Sequence, residues 1–179
     1  MNASDAKRFI ADAVGASAGS WADVGAGTGT FTRALQLLLP AESRIYAIDR
    51  DPAAIAALRR IGGVVAVQSD FTKTTEFADL GPASLDGMLL ANALHFVPDP
   101  AVVLARLARL VKPRGRVVIV EYDRRAASPW VPFPIESVRW PSIAEAAGFV
   151  NPAVIARRNS AYAGELYVAV ADKRQASTS

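Results

Sequence analysis

Three glycines alternate in Asp23-Val24-Gly25-Ala26-Gly27-Thr28-Gly29, between an apolar run and a segment that opens a helix near Thr30. A turn this sharp needs residues without a Cβ, and a ligand pressed against its backbone leaves no room for side chains. About 20 residues further on, Asp49 closes a second apolar run, where a carboxylate can accept both hydroxyls of an adenosine ribose. A third anchor is Asp70 in Ser69-Asp70-Phe71, just beyond a third apolar run. There a carboxylate can take an exocyclic amine while the aromatic ring flanks a base. The three anchors together describe a site for an adenosine-bearing ligand.

Spacing separates two classes of such ligand. A dinucleotide fold wants G-x-G-x-x-G, which would put the third glycine at position 30, and that position is Thr30. A dinucleotide also presents its pyrophosphate to the helix N-terminus. S-adenosylmethionine (SAM) has no phosphate and brings a methionine ammonium and carboxylate to the turn. Asp23, two residues before the first glycine, offers that ammonium a negative charge. The pattern favours SAM and leaves an NAD(P)-dependent oxidoreductase as the competing reading.

The elements that must hold these residues follow from hydrophobic patterning. Strand-length apolar runs at Trp21 to Val24, Arg44 to Ile48, Val64 to Val67, Leu85 to Leu90 and Arg116 to Tyr122 alternate with segments of helical period. That alternation predicts βαβ units and a parallel sheet covered on both faces. Asp51-Pro52 and Asp99-Pro100 each combine an N-cap with a first-turn proline, the second before a helix over Ala101 to Val111. Ser142 and Glu145 fit a capping box for a helix ending at Gly148. Val150 to Arg157 and Glu165 to Ala171 read as a terminal antiparallel hairpin. We expect one domain over residues 1–172 and a flexible polar tail over 173–179.

The order and spacing of these motifs resemble the class I SAM-dependent methyltransferase family, and within it the small-molecule-type members. The resemblance runs from about Trp21 to Ala171. It includes Ala91-Asn92-Ala93-Leu94-His95-Phe96 at the fourth-strand exit and Arg109-Leu110-Val111-Lys112-Pro113-Arg114-Gly115 before the fifth strand. It implies an α/β, Rossmann-like sheet of seven mostly parallel strands in the order 3-2-1-4-5-7-6, with strand 7 antiparallel. It implies SAM as cofactor and S-adenosylhomocysteine as product. On this reading Asp23, Gly25, Gly27 and Gly29 meet the methionine end, Asp49 the ribose, and Asp70 and Phe71 the adenine. Ala26, Arg50 and Asn92 complete the cofactor set.

Composition bounds the rest. The 179 residues include no cysteine and one histidine, which rules out thiolate chemistry and makes a metal cofactor unexpected. Acidic and basic residues are interspersed to a net charge of +3, so nucleic acid is not indicated as a partner. The expected setting is the cytoplasm, without a membrane span or an export signal.

The acceptor side is less defined. The fourth-strand exit lacks the Asn/Asp-Pro-Pro-Tyr/Phe signature of enzymes that methylate exocyclic or amide nitrogens, which disfavours DNA-base methylation; the resemblance implies transfer of the methyl to an oxygen, nitrogen, sulfur or carbon of a small-molecule acceptor. His95 reads first as part of the strand-exit scaffold, with general base as its alternative role. The insertion from Asp123 to Pro141 carries Trp130, Phe133 and Trp140, with Arg124, Arg125 and Arg139 around them. These aromatics are the candidate substrate residues, lining an apolar pocket or else packing their own loop. The N-terminal cap has room for one helix, around Ser4 to Val14. A homo-oligomer, or a partner subunit supplying a lid, therefore enters as a possibility. A non-catalytic SAM-binding subunit or sensor is the alternative function.

Overall fold

Helices and strands alternate along the computed structural model, which describes residues 1–74, 76–77, 80–160 and 164–175. Helix α1 (Ala3–Val14) precedes β1 (Ser20–Val24), α2 (Thr30–Leu38), β2 (Arg44–Asp49), α3 (Pro52–Leu58), β3 (Val64–Gln68) and β4 (Leu85–Ala91). Then come α4 (Pro100–Leu107), β5 (Val111–Asp123), α5 (Trp140–Ala146), β6 (Phe149–Asn159) and β7 (Glu165–Lys173). The sheet order is β3-β2-β1-β4-β5-β7-β6. β1 to β5 pair in parallel, and β7 runs antiparallel to both β5 and β6. Both the order and the reversed strand agree with the sequence reading.

Successive side chains on a strand point to opposite faces, so a sheet covered on both sides must be apolar without a break. Met88 and Leu90 of β4, with Val117 and Ile119 of β5, enter the layer that holds α4 and α5. Leu89, Val118 and Val120 enter the opposite layer, against Ala6 and Ile10 of α1 and Ala34 and Leu35 of α2. Among the described residues, no helix is long and apolar enough to cross a membrane.

The helix starts follow local chemistry. Asp51 accepts a hydrogen bond from the Ala53 N–H at 2.9 Å, and Asp99 accepts from the Val102 N–H at 3.3 Å, each with proline in the first turn. Two boundaries differ from expectation. α4 stops at Leu107, and β5 begins at Val111 rather than Arg116. Val111 pairs with Leu85 and buries its side chain, and the register then slips so that Arg116 faces Gly87. A short run such as Leu110-Val111 satisfies helical and strand periods equally. The second correction concerns α5, which starts at Trp140 after a 3-10 turn over Ser137–Arg139, with no side-chain cap. The Ser142 hydroxyl donates back to the Arg139 carbonyl at 2.9 Å, so the expected capping box does not form.

The terminal hairpin is longer than expected, with β7 reaching Lys173. Residues 161–163, in its connection, and 176–179, in the expected tail, lie outside the described residues.

The chain leaves β1 toward β2 and β3 on one side and returns through β4 to β5 on the other. The crevice outside the carboxyl ends of β1 and β4 is therefore the topological switch point, where open α/β sheets take their ligands.

Candidate active site

The glycine loop joins β1 to α2 at that crevice, and its three glycines are there for different reasons. A Cβ on Gly25 would lie 2.8 Å from the Ala93 side chain, and one on Gly29 would lie 2.6 Å from Ile61 and 3.0 Å from Leu58. These two allow protein to pack on protein. Gly27 has φ +53°, and a Cβ there would meet nothing within 4 Å. Open space above strained backbone is what a ligand approaching the loop requires. Ala26 turns inward, packing with Ala47, Ile55 and Leu58, and its N–H is bonded to the Ile48 carbonyl. Its side chain therefore serves the core, packed against α3.

Asp23 sits beneath the loop, 1% exposed. Its Oδ2 accepts from the Thr32 hydroxyl at 2.7 Å, while Oδ1 is buried without a partner. Burial, reinforced by the Asp49 charge and opposed by the Thr32 hydrogen bond, pushes this carboxyl up to about 7. Asp49 braces the loop from the end of β2: Oδ2 accepts the Gly27 N–H at 2.8 Å and Oδ1 the Asp51 N–H at 2.9 Å.

A cavity of about 550 Å³ opens along this edge, lined by Gly25, Asp49, Arg50, Asp70, Phe71 and Asn92 of the expected set, with Val97, Val102 and Val103 as apolar wall. Its size is that of a small-molecule site. Asp70 Oδ1 accepts from the Thr72 hydroxyl at 2.6 Å and the Thr72 N–H at 3.0 Å. Lys73 and Arg50 stand 3.6 and 3.9 Å from its Oδ2. The Thr72 hydroxyl bond is the main cause holding this carboxyl below the usual range, and the two cations add to it.

At the β4 exit, Asn92 takes φ +54°, a left-handed conformation that asparagine tolerates better than most residues. Its N–H donates to the Val120 carbonyl at 2.8 Å, and its side-chain Oδ1 is buried without a partner. It lines both the first cavity and a second one of about 410 Å³, shared with His95, Phe96, Tyr122, Arg125, Trp130 and Val131.

His95 is buried against Glu121, a residue that the sequence reading passed over. Glu121 Oε2 lies 2.6 Å from His95 Nδ1, and Oε1 accepts the N–H groups of Leu94 at 2.9 Å and His95 at 3.3 Å. An ionised carboxylate can only accept, so the contact with Glu121 calls for a proton on Nδ1. The signal was present in the sequence. Glu121 ends the run Val117-Val118-Ile119-Val120 inside a two-sided strand, where a charged group must find partners.

The insertion divides the three substrate candidates. Trp130 is 78% exposed and lines the second cavity. Phe133 is 43% exposed, and its N–H donates to the His95 carbonyl at 3.0 Å, tying the loop to the β4 exit. Trp140 is corrected to a core residue: it is wholly buried with α5, and its indole Nε1 donates to the Val170 carbonyl at 3.0 Å. The far end of the loop is anchored by Asp123, which accepts from Arg157 at 2.6 Å and from the Ser137 hydroxyl at 2.7 Å. Burial would raise the Asp123 carboxyl, but these bonds outweigh it and hold it at about 2.

Comparison with known proteins gives a consistent result. A family model described as "Methyltransferase domain" matches residues 22–119, more than half of the chain. The ubiquinone biosynthesis O-methyltransferase of Xylella fastidiosa (strain M23) is 31% identical over 123 residues, covering 67% of this chain and 48% of that protein. The chain thus spans about half the length of the curated relatives it matches. A solved SAM-dependent methyltransferase from Aquifex aeolicus superposes with TM-score 0.70 at 18% identity, covering 96% of this chain and 98% of that one. The 1,6-didemethyltoxoflavin-N1-methyltransferase of Burkholderia thailandensis gives TM-score 0.71 at 22% identity, covering 97% and 78%. At these identities the solved structures speak for the fold.

Proposed function

This chain belongs to the class I SAM-dependent methyltransferase family, and on that premise we propose that it methylates an oxygen or carbon of a small-molecule acceptor that must lose a proton to react. The observation that carries this reading is the His95–Glu121 pair facing a cavity that meets the cofactor crevice at Asn92.

The residues of the crevice fit a SAM molecule. Asn92, with its unpartnered Oδ1, lines the crevice together with Asp49 and Asp70, the carboxylates for ribose and base, while the loop beside it leaves the Gly27 backbone open and buries the unpartnered Asp23 Oδ1, an acceptor of the kind an ammonium needs. SAM supplies a sulfonium methyl, so most of the reactivity resides in the cofactor. The protein's share is to hold the acceptor in line with that methyl and to take its proton. His95 Nε2 takes the proton, and Glu121 stabilises the imidazolium that forms while fixing the ring's orientation. Trp130 and Phe96 supply the flat apolar wall on which the acceptor rests.

The test takes the best acceptor from a panel of phenols and enolisable carbonyls, assayed with methyl-labelled SAM. His95→Gln lowers turnover by about 10²-fold or more with S-adenosylhomocysteine affinity unchanged. A loss smaller than about tenfold returns His95 to the strand-exit scaffold.

A further inference from the structure

The acceptor cavity holds a cation that neither methyl transfer nor folding accounts for. Arg125 lines it, with its guanidinium carbon over the Tyr122 ring, 4.4 Å from the ring centre. No carboxylate pairs with it among the described residues. The nearest acids in the chain are committed elsewhere: Glu121 to His95 and two backbone N–H groups, Asp123 to Arg157 and Ser137. Arg124, next to it, is exposed and does not line the cavity, and the Arg139 guanidinium turns to the Pro134 carbonyl.

With its Cζ over one aromatic face and no carboxylate partner among the described residues, this guanidinium keeps hydrogen-bonding capacity to spare. A guanidinium is a planar fork of N–H donors, matched to a carboxylate or similar planar oxyanion. Trp130 and Phe96, exposed by 78% and 48%, line the same cavity. A concentration of exposed aromatic surface of this kind marks a recognition site rather than ordinary surface. A flat ligand that covered this wall would also remove water from Arg125, and an acceptor without an anionic group would leave that charge uncompensated.

We propose that the methyl acceptor is a planar acid whose ring packs on Trp130 and whose carboxylate, or an equivalent oxyanion, is held by Arg125, so that its nucleophile is turned toward His95. This rests on the methyl-transfer reading above and narrows its acceptor to anions. Arg125 is then the residue that sets specificity, because it rejects neutral isosteres by the cost of its own desolvation.

Two probes of nearly equal shape test this: salicylate and its neutral amide, titrated in the presence of S-adenosylhomocysteine. Trp21 and Trp140 are buried, so quenching of tryptophan emission by a stacked ring reports Trp130. Salicylate binds roughly tenfold or more tightly than the amide. Arg125→Gln brings it to the amide's level without changing the amide, and Arg125→Lys retains part of the preference. Equal affinities in the unmodified protein, no binding of either probe, or a preference that survives Arg125→Gln each overturn the proposal. Calorimetry with S-adenosylhomocysteine on the same samples keeps the two readings apart. Loss of that binding overturns methyl transfer whatever salicylate does, whereas normal binding without carboxylate preference overturns the anionic acceptor alone.

Discussion

At the scale of single residues, the glycine loop separates ligand space from packing. Gly27→Val places its side chain where no protein atom lies within 4 Å, so it abolishes S-adenosylhomocysteine binding and costs the fold only the strain of a positive φ. Gly29→Ala does the reverse, because its methyl overlaps Ile61 and Leu58, and it lowers the melting temperature. Calorimetry and thermal melts on the pair check this, and a Gly27→Val chain that fails to fold would contradict it. Asp23 adds a pH dependence. Its carboxyl stands at about 7 in the folded chain against an ordinary 3.8, so the folded state binds the proton more tightly than the unfolded one. The contribution of Asp23 to the stability of the ligand-free protein is therefore greatest below about pH 4, falls as pH rises, and levels off above about pH 7. Asp23→Asn flattens that slope in urea titrations across the range, and an unaltered slope would assign it to other groups. The glycines, Asp49 and Asp70 were legible in the sequence because turn chemistry and strand-end position are local properties. The division of labour among the glycines was not, since Ala93 lies far along the chain from Gly25 and Ile61 far from Gly29.

At the scale of elements, the insertion after β5 shows where local reading runs out. Trp130 and Trp140 stand ten residues apart in one proline-spaced stretch, each with a proline beside it and a serine two residues away. What distinguishes them is that α5 begins at Trp140 and turns its indole into the layer beneath the sheet, whereas Trp130 projects from the short Ser128–Val131 turn. Trp140→Ala therefore destabilises the fold by about 3–5 kcal/mol, as loss of a large buried aromatic does. Trp130→Ala leaves the melting temperature nearly unchanged and weakens the acceptor by more than about 1 kcal/mol. Equilibrium unfolding and acceptor titration on both variants check the contrast, and equal loss of stability in the two would make the whole insertion scaffold. The same limit explains Glu121. Its distance along the chain from His95 hides a contact that only the pairing of β4 with β5 creates.

At the scale of the whole molecule, the topology was readable because each parallel strand is marked twice, by an apolar run and by the chemistry at its carboxyl end. β1, β2 and β4 deliver Gly25, Asp49 and Asn92 to one edge, and the crevice lies where the chain changes direction across the sheet. Calorimetric titration with S-adenosylhomocysteine and, separately, with NADH asks whether this edge is a SAM site. One S-adenosylhomocysteine should bind per chain, with no measurable binding of NADH. Asp49→Ala should weaken the former by about ten- to a hundredfold, through loss of charge-assisted ribose bonds. NADH binding more tightly than S-adenosylhomocysteine, or no S-adenosylhomocysteine binding at all, would contradict a SAM site.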